Sequence, residues 1–133
     1  MKILFVCNGN VARSQEAEAF FNSMWPGEED YASSCGVNVR VGKPIDPFVV
    51  QVMDEVGLGV SRAERKFIKV EMVENADIVV SFKPKNELPE YLMKTDRVRF
   101  WDVADPRHQP VEFHRQVRDE IRHRVTALVA ELR

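Results

Sequence analysis

Cys7 and Arg13 bracket a short segment, Asn8-Gly9-Asn10-Val11-Ala12, and Ser14 follows directly. A thiolate is a strong nucleophile, and a guanidinium presents a planar fork to two oxygens of a tetrahedral anion. Gly9 permits close approach or a positive φ, and successive backbone N–H groups of such a loop can wrap an anion. A helix beginning near Ser14 adds its positive end to the same field and stabilises a thiolate at Cys7. The Ser14 hydroxyl is placed to cap that helix or to hydrogen-bond the sulfur. The chemistry these residues suit is attack by Cys7 on an oxyanion, a phosphate ester or arsenate, held in the loop Cys7–Arg13. A random cysteine after a strand is more often an ordinary buried one. The whole run, apolar strand then glycine then Arg-Ser then helix formers, favours the nucleophile.

The elements that position this loop follow from patterning. Ile3–Val6 is continuously apolar, as a central parallel strand buried on both faces should be. Ser14–Phe21 is rich in helix formers. Tyr31–Cys35 reads as a second short strand ended by Gly36. Asp46 precedes Pro47 as an N-cap precedes a first helical residue. Val49, Val52, Met53 and Val56 are spaced for one buried face, and Gly57 supplies a stop. Ala76–Phe82 and Val98–Trp101 read as further strands. From Val111 to Leu132 a long helix shows a stripe of Phe113, Val117, Ile121, Val125, Leu128 and Leu132. Its charged residues Arg115, Arg118, Asp119, Glu120, Arg122, His123 and Arg124 read as a solvated face.

This order predicts an α/β fold, a three-layer domain over residues 1–133 with a four-stranded parallel sheet and helices on both faces. Ligands in such sheets bind beyond the carboxyl ends of the strands. Cys7 is expected just past the end of the first strand and Asp105 shortly past the end of the last. With Lys+Arg 19 against Asp+Glu 21, the formal charge is −2. That balance argues against a nucleic-acid or anionic-membrane binder working through bulk charge, so an anion site must be built locally. The opening apolar run is too short for a signal peptide or a membrane span. Two cysteines without an export signal suggest reduced thiols and a cytoplasmic setting.

The segment Cys7–Ser14 resembles the phosphate-binding loop of the low-molecular-weight protein tyrosine phosphatases, a superfamily that includes arsenate reductases of the thioredoxin-coupled type. The likeness continues through Ser34-Cys35-Gly36, Val41–Pro47, Ala76–Val80 and Asp105-Pro106, and so spans nearly the whole chain. It implies that Cys7 forms a phosphocysteine and that Arg13 and the amides of Asn8, Gly9, Asn10, Val11 and Ala12 bind the oxygens. Asp105 would protonate the leaving oxygen and later take a proton from water. Asn10 and Ser34 would brace the loop, Ser14 would tune Cys7, and neither metal nor other cofactor would be required. Without the resemblance, Asp105-Pro106 is a common turn starter. Asp102 is the rival acid, while Trp101 and His108 read as loop or core residues.

The chain also departs from the family pattern. Asp105-Pro106-Arg107-His108-Gln109-Pro110 lacks the aromatic residues that line the tyrosine phosphatase pocket, Val39 stands where the family has tryptophan, and Asn8 replaces an apolar residue. Arg13-Ser14-Gln15, Val52–Gly57 and Val117–Ile121 resemble the arsenate reductase branch. That branch relays oxidation through two further cysteines near the third strand, and Ser81–Pro89 contains none. Ala12 replaces a second loop cysteine found in many of the phosphatases. Cys35 is read as a small core residue, the alternative being a disulfide with Cys7 under oxidation.

The leading expectation is a phosphomonoesterase acting on a phosphorylated protein or small molecule. Second comes an arsenate reductase using an external thiol. A phosphocarrier shares the strand-Cys-loop-helix start but lacks the loop Arg and the acid. A catalytically dead phosphate sensor has no use for the full set Cys7, Arg13 and Asp105.

Overall fold

The computed structural model describes residues 1–27 and 31–133. Ile3-Leu4-Phe5-Val6-Cys7 alternates its side chains between two apolar layers, which only a central strand can do. This strand, β1 (Ile3–Cys7), is buried along its whole length. It pairs in parallel with β2 (Ala32–Gly36) on one side and with β3 (Ile78–Ser81) on the other. β4 (Val98–Phe100) completes the sheet against β3, giving the order β2-β1-β3-β4. In that order the chain leaves β1 for one edge and returns to its other side, so a crevice opens at the carboxyl end of β1.

Ile3, Phe5 and Cys7 face the helices α1 (Arg13–Met24), α2 (Pro47–Asp54) and α5 (Val111–Leu132), through Phe20, Phe21, Val52, Ile121 and Val125 among others. Leu4, Val6 and Cys35 face the other layer, with Val73 of α3 (Val70–Glu74) and Leu92 of α4 (Glu90–Met93). The expected three-layer α/β architecture is therefore present. None of its helices is long and apolar enough to cross a membrane among the described residues.

Local chemistry accounts for both ends of α2. The Asp46 carboxylate accepts the Phe48 N–H at 2.8 Å with Pro47 as the first helical residue, and Gly57 takes φ +79° soon after α2. The short helices α3 and α4 have too few turns to leave a readable apolar stripe. Cys7, expected beyond the strand, is its last residue, paired with Gly36, because the ladder runs on as the Val37 N–H donates to the Cys7 carbonyl at 3.1 Å.

Cys35 is the small core residue expected, fully buried, and the strand register argues against the alternative, a disulfide with Cys7. Cys35 stands opposite Val6, not Cys7, so its side chain shares Val6's face and Cys7 points the other way. The sheet itself separates the thiols, and both are free. Burial pushes the Cys35 thiol up to about 12, which keeps it protonated and unreactive. Contrary to expectation, the helix face of α5 is not uniformly solvated. Arg118 is only 9% exposed, because it crosses to α2, donating to the Val52 carbonyl at 3.0 Å and the Glu55 carboxylate at 2.7 Å.

Candidate active site

The turn from β1 into α1 is held open by a buried asparagine. Asn10 adopts φ 52°, a left-handed conformation that asparagine tolerates better than most residues. Its side chain is fully committed. Nδ2 donates to Ser14 Oγ at 2.8 Å and Ser34 Oγ at 3.0 Å. Oδ1 accepts from the Lys66 backbone N–H at 2.8 Å and Gln15 Nε2 at 3.0 Å. The strained loop conformation is thus fixed from four directions.

Ser14 Oγ lies 2.8 Å from Cys7 Sγ. Because Ser14 Oγ already accepts the Asn10 N–H, its own proton is free to point at the sulfur. The backbone N–H groups of Asn8, Gly9, Asn10, Val11 and Ala12 donate to no protein acceptor among the described residues, and the orphan N–H groups at the start of α1 lie alongside. Of these residues, Asn8, Gly9, Val11 and Ala12 line the same cleft as Cys7.

Two glycines make the close packing possible. A Cβ on Gly36 would lie 2.5 Å from the Asn8 carbonyl oxygen and 2.8 Å from the Asn10 nitrogen. A Cβ on Gly9 would come within 3.2 Å of Arg65 Nη2, and the Arg65 Nε donates to the Gly9 carbonyl at 3.1 Å.

Arg13 is held from below. Its Nη1 donates to the Val103 carbonyl at 3.0 Å and the Phe82 carbonyl at 3.3 Å, and its guanidinium lies over the Phe82 ring. This anchorage leaves Nη2 3.8 Å from Asp105 Oδ2. The other oxygen of Asp105 accepts the Arg107 N–H at 3.0 Å, a turn that holds the carboxylate at the mouth of the site. Asp102 lies outside the cleft, and its carbonyl accepts from Arg124. Trp101 packs between Phe5 and Phe82.

Cys7, Asn8, Gly9, Val11, Ala12, Arg13 and Asp105 line one cleft of about 490 Å³. Asn10, Ser14 and Ser34 lie behind it, fully buried. The cleft is also lined by Asn38, Arg40, Arg65 and Arg107, to which sequence reasoning assigned no role, and by Asp46, read only as a helix cap. His108, read as a loop residue, is there too. They sit on connections without periodicity, and only the tertiary fold gathers them.

A buried cysteine and arginine joined by a loop of free amides, at the carboxyl end of a parallel strand, define an α/β oxyanion-binding enzyme of the cysteine-nucleophile class. Residues 2–133 match the low molecular weight phosphotyrosine protein phosphatase family. The chain is 30% identical over 132 residues to a glutaredoxin arsenate reductase of Synechocystis sp., covering 98% of each. It superposes on a low molecular weight protein tyrosine phosphatase from T. tengcongensis with a TM-score of 0.89 at 30% identity, covering 98% of this chain and 99% of that one. The YwlE arginine phosphatase from Geobacillus stearothermophilus gives a TM-score of 0.87 at 28% identity, with 98% and 92% covered. The chain belongs to the low molecular weight phosphotyrosine protein phosphatase family and is a phosphatase-type hydrolase.

Proposed function

We propose that residues 1–133 act as one domain that hydrolyses phosphate monoesters through a phosphocysteine at Cys7. The observation that carries this is the chain of contacts Asn10–Ser14–Cys7 beside a loop whose backbone N–H groups have no protein acceptor among the described residues. Arg13 and the amides of residues 8–12 hold the three non-bridging oxygens. The Cys7 thiolate attacks phosphorus, the P–O ester bond breaks, and the leaving oxygen takes the proton of Asp105. Water then attacks the phosphocysteine and gives a proton to the Asp105 carboxylate. The S–P bond breaks, releasing phosphate and restoring the thiolate. Arg13 and the amides carry the transition-state charge. Free thiols suit a cytoplasmic setting.

A second reading is favoured by the absence of Phe, Tyr and Trp from the cleft's lining and by its arginines. Arsenate in the loop would lose water on forming a Cys7–arsenic bond. An external thiol attacking Cys7 Sγ would release arsenite and leave a mixed disulfide, and a second thiol would restore Cys7. The arsenic gains the two electrons that the two external thiols lose.

Hydrolysis of an aryl phosphate with EDTA present tests the first reading. Turnover by the wild type, absent in Cys7→Ser and reduced roughly 10²–10⁴-fold in Asp105→Asn, supports it. A folded wild type without turnover overturns it, and arsenate with glutathione or mycothiol then tests the second.

A further inference from the structure

Arginines from three separate connections line the one cleft. Arg40 lies between β2 and α2, Arg65 between α2 and α3, and Arg107 just beyond Asp105. No carboxylate pairs with any of them among the described residues, whereas Arg99, Arg115, Arg118 and Arg124 all have acidic partners. The cleft's own carboxylates are already engaged. Asp46 caps α2 through the Phe48 N–H, and Asp105 holds the Arg107 N–H and faces Arg13. Arg65 is fixed by its Nε bond to Gly9, which leaves its terminal N–H groups at the lip of the loop. The chain as a whole carries −2, so this cationic mouth is a local construction.

The cleft, at about 490 Å³, is of the size that holds a small-molecule ligand. Its lining contains no Phe, Tyr or Trp against which an aryl leaving group would stack. Forked, unpaired guanidiniums instead match carboxylate or phosphate oxygens. We propose that the substrate is a small phosphomonoester whose leaving group carries a second anionic group. That group binds Arg40 and Arg107, with Arg65 beside them, while the transferred phosphoryl group sits in the loop. A phosphorylated guanidinium, whose leaving group is cationic rather than anionic, is disfavoured by the same rim. The inference rests on the phosphatase reading of Cys7.

The test compares kcat/KM for 4-carbamoylphenyl phosphate, 4-carboxyphenyl phosphate and benzene-1,4-bisphosphate, which separates a carboxylate from a phosphate as the second anion. At least one anionic substrate should exceed the amide by roughly five- to tenfold, mainly through KM and less so at high salt. The ratio should fall towards one in Arg40→Gln/Arg107→Gln and persist in Arg62→Gln, an exposed arginine outside the cleft. Equal kcat/KM for all three in the wild type, or a ratio that survives the double substitution, overturns the inference. Turnover of none of them overturns the phosphatase reading instead. The rim is then judged from binding of benzylphosphonate and 4-carboxybenzylphosphonate to Cys7→Ser. Tighter binding of the carboxylated analogue, lost in the double variant, upholds the second-anion site, and equal or absent binding rejects it.

Discussion

Asn10 shows how much of the site depends on one side chain. Replacing it with alanine removes four hydrogen bonds at a buried position and leaves Ser14, Ser34, Gln15 and the Lys66 N–H to find other partners. It also puts a residue less tolerant of positive φ where φ is 52°. Each unpaired buried group costs about 1–3 kcal/mol, so Asn10→Ala should lower stability by at least ~2 kcal/mol in chemical denaturation and depress kcat together with it. Ser14→Ala is the cleaner probe, since the Ser14 Oγ lies 2.8 Å from Cys7 Sγ. Iodoacetamide should alkylate Cys7 more slowly in Ser14→Ala at neutral pH. An unchanged rate would mean that the hydroxyl does not activate the sulfur. Cys7, Arg13, Asn10 and Ser14 were all legible in the sequence because one continuous loop carries them. Arg40, Arg65 and Arg107 were not, because nothing local distinguishes an arginine aimed into a cleft from one facing water.

At the scale of elements, the loop's shape depends on a strand it does not belong to. Gly36, the last residue of β2, lies so close to Asn8 and Asn10 that a methyl group would push the loop backbone away. Gly36→Ala should therefore cost about 1–3 kcal/mol and reduce turnover more than binding of simple phosphate. Calorimetric affinity for phosphate set beside kcat separates the two effects. Glu16 on α1 is a second case. It is fully buried, and neither its carboxylate oxygens nor the ring nitrogens of His114 find a hydrogen-bond partner among the described residues. Burial holds its carboxyl well above the usual carboxylate range, partly offset by Arg118. The folded state thus keeps a proton that the unfolded chain gives up, so this group's contribution falls as pH rises above the ordinary carboxyl range. Tm of the wild type should decline more than that of Glu16→Gln between about pH 5 and about pH 8. Parallel curves would show that Glu16 is already neutralised by other means. The strands were readable to within two residues at each end, and the long helix from its periodicity over its full length. α3 and α4 were not, since five and four residues hold barely one turn. The burial of Arg118 was hidden for a related reason: its partner Glu55 is brought to it only by packing of α2 on α5.

Across the whole molecule, that same contact ties the two helices together. Arg115 and Arg118 flank Glu55 at 2.7 Å each and lower its carboxyl to about 2, the Arg115 hydrogen bond acting most strongly. The pairing stabilises the fold above the ordinary carboxyl range and is lost as pH falls through about 2. Glu55→Gln should therefore lower Tm modestly at neutral pH, the gap to wild type closing as acid is added. A constant gap would assign the loss to packing. These features serve one end, a sheet that delivers a buried cysteine, a fixed arginine and an acid from distant parts of the chain to one crevice. The most direct measurement is acid quenching of the wild type and Asp105→Asn during turnover of an aryl phosphate, followed by peptide mass spectrometry. The account predicts a phosphoryl group on Cys7, absent from Cys7→Ser. Turnover with no phosphoryl group on Cys7, or with the label on another residue, would contradict it.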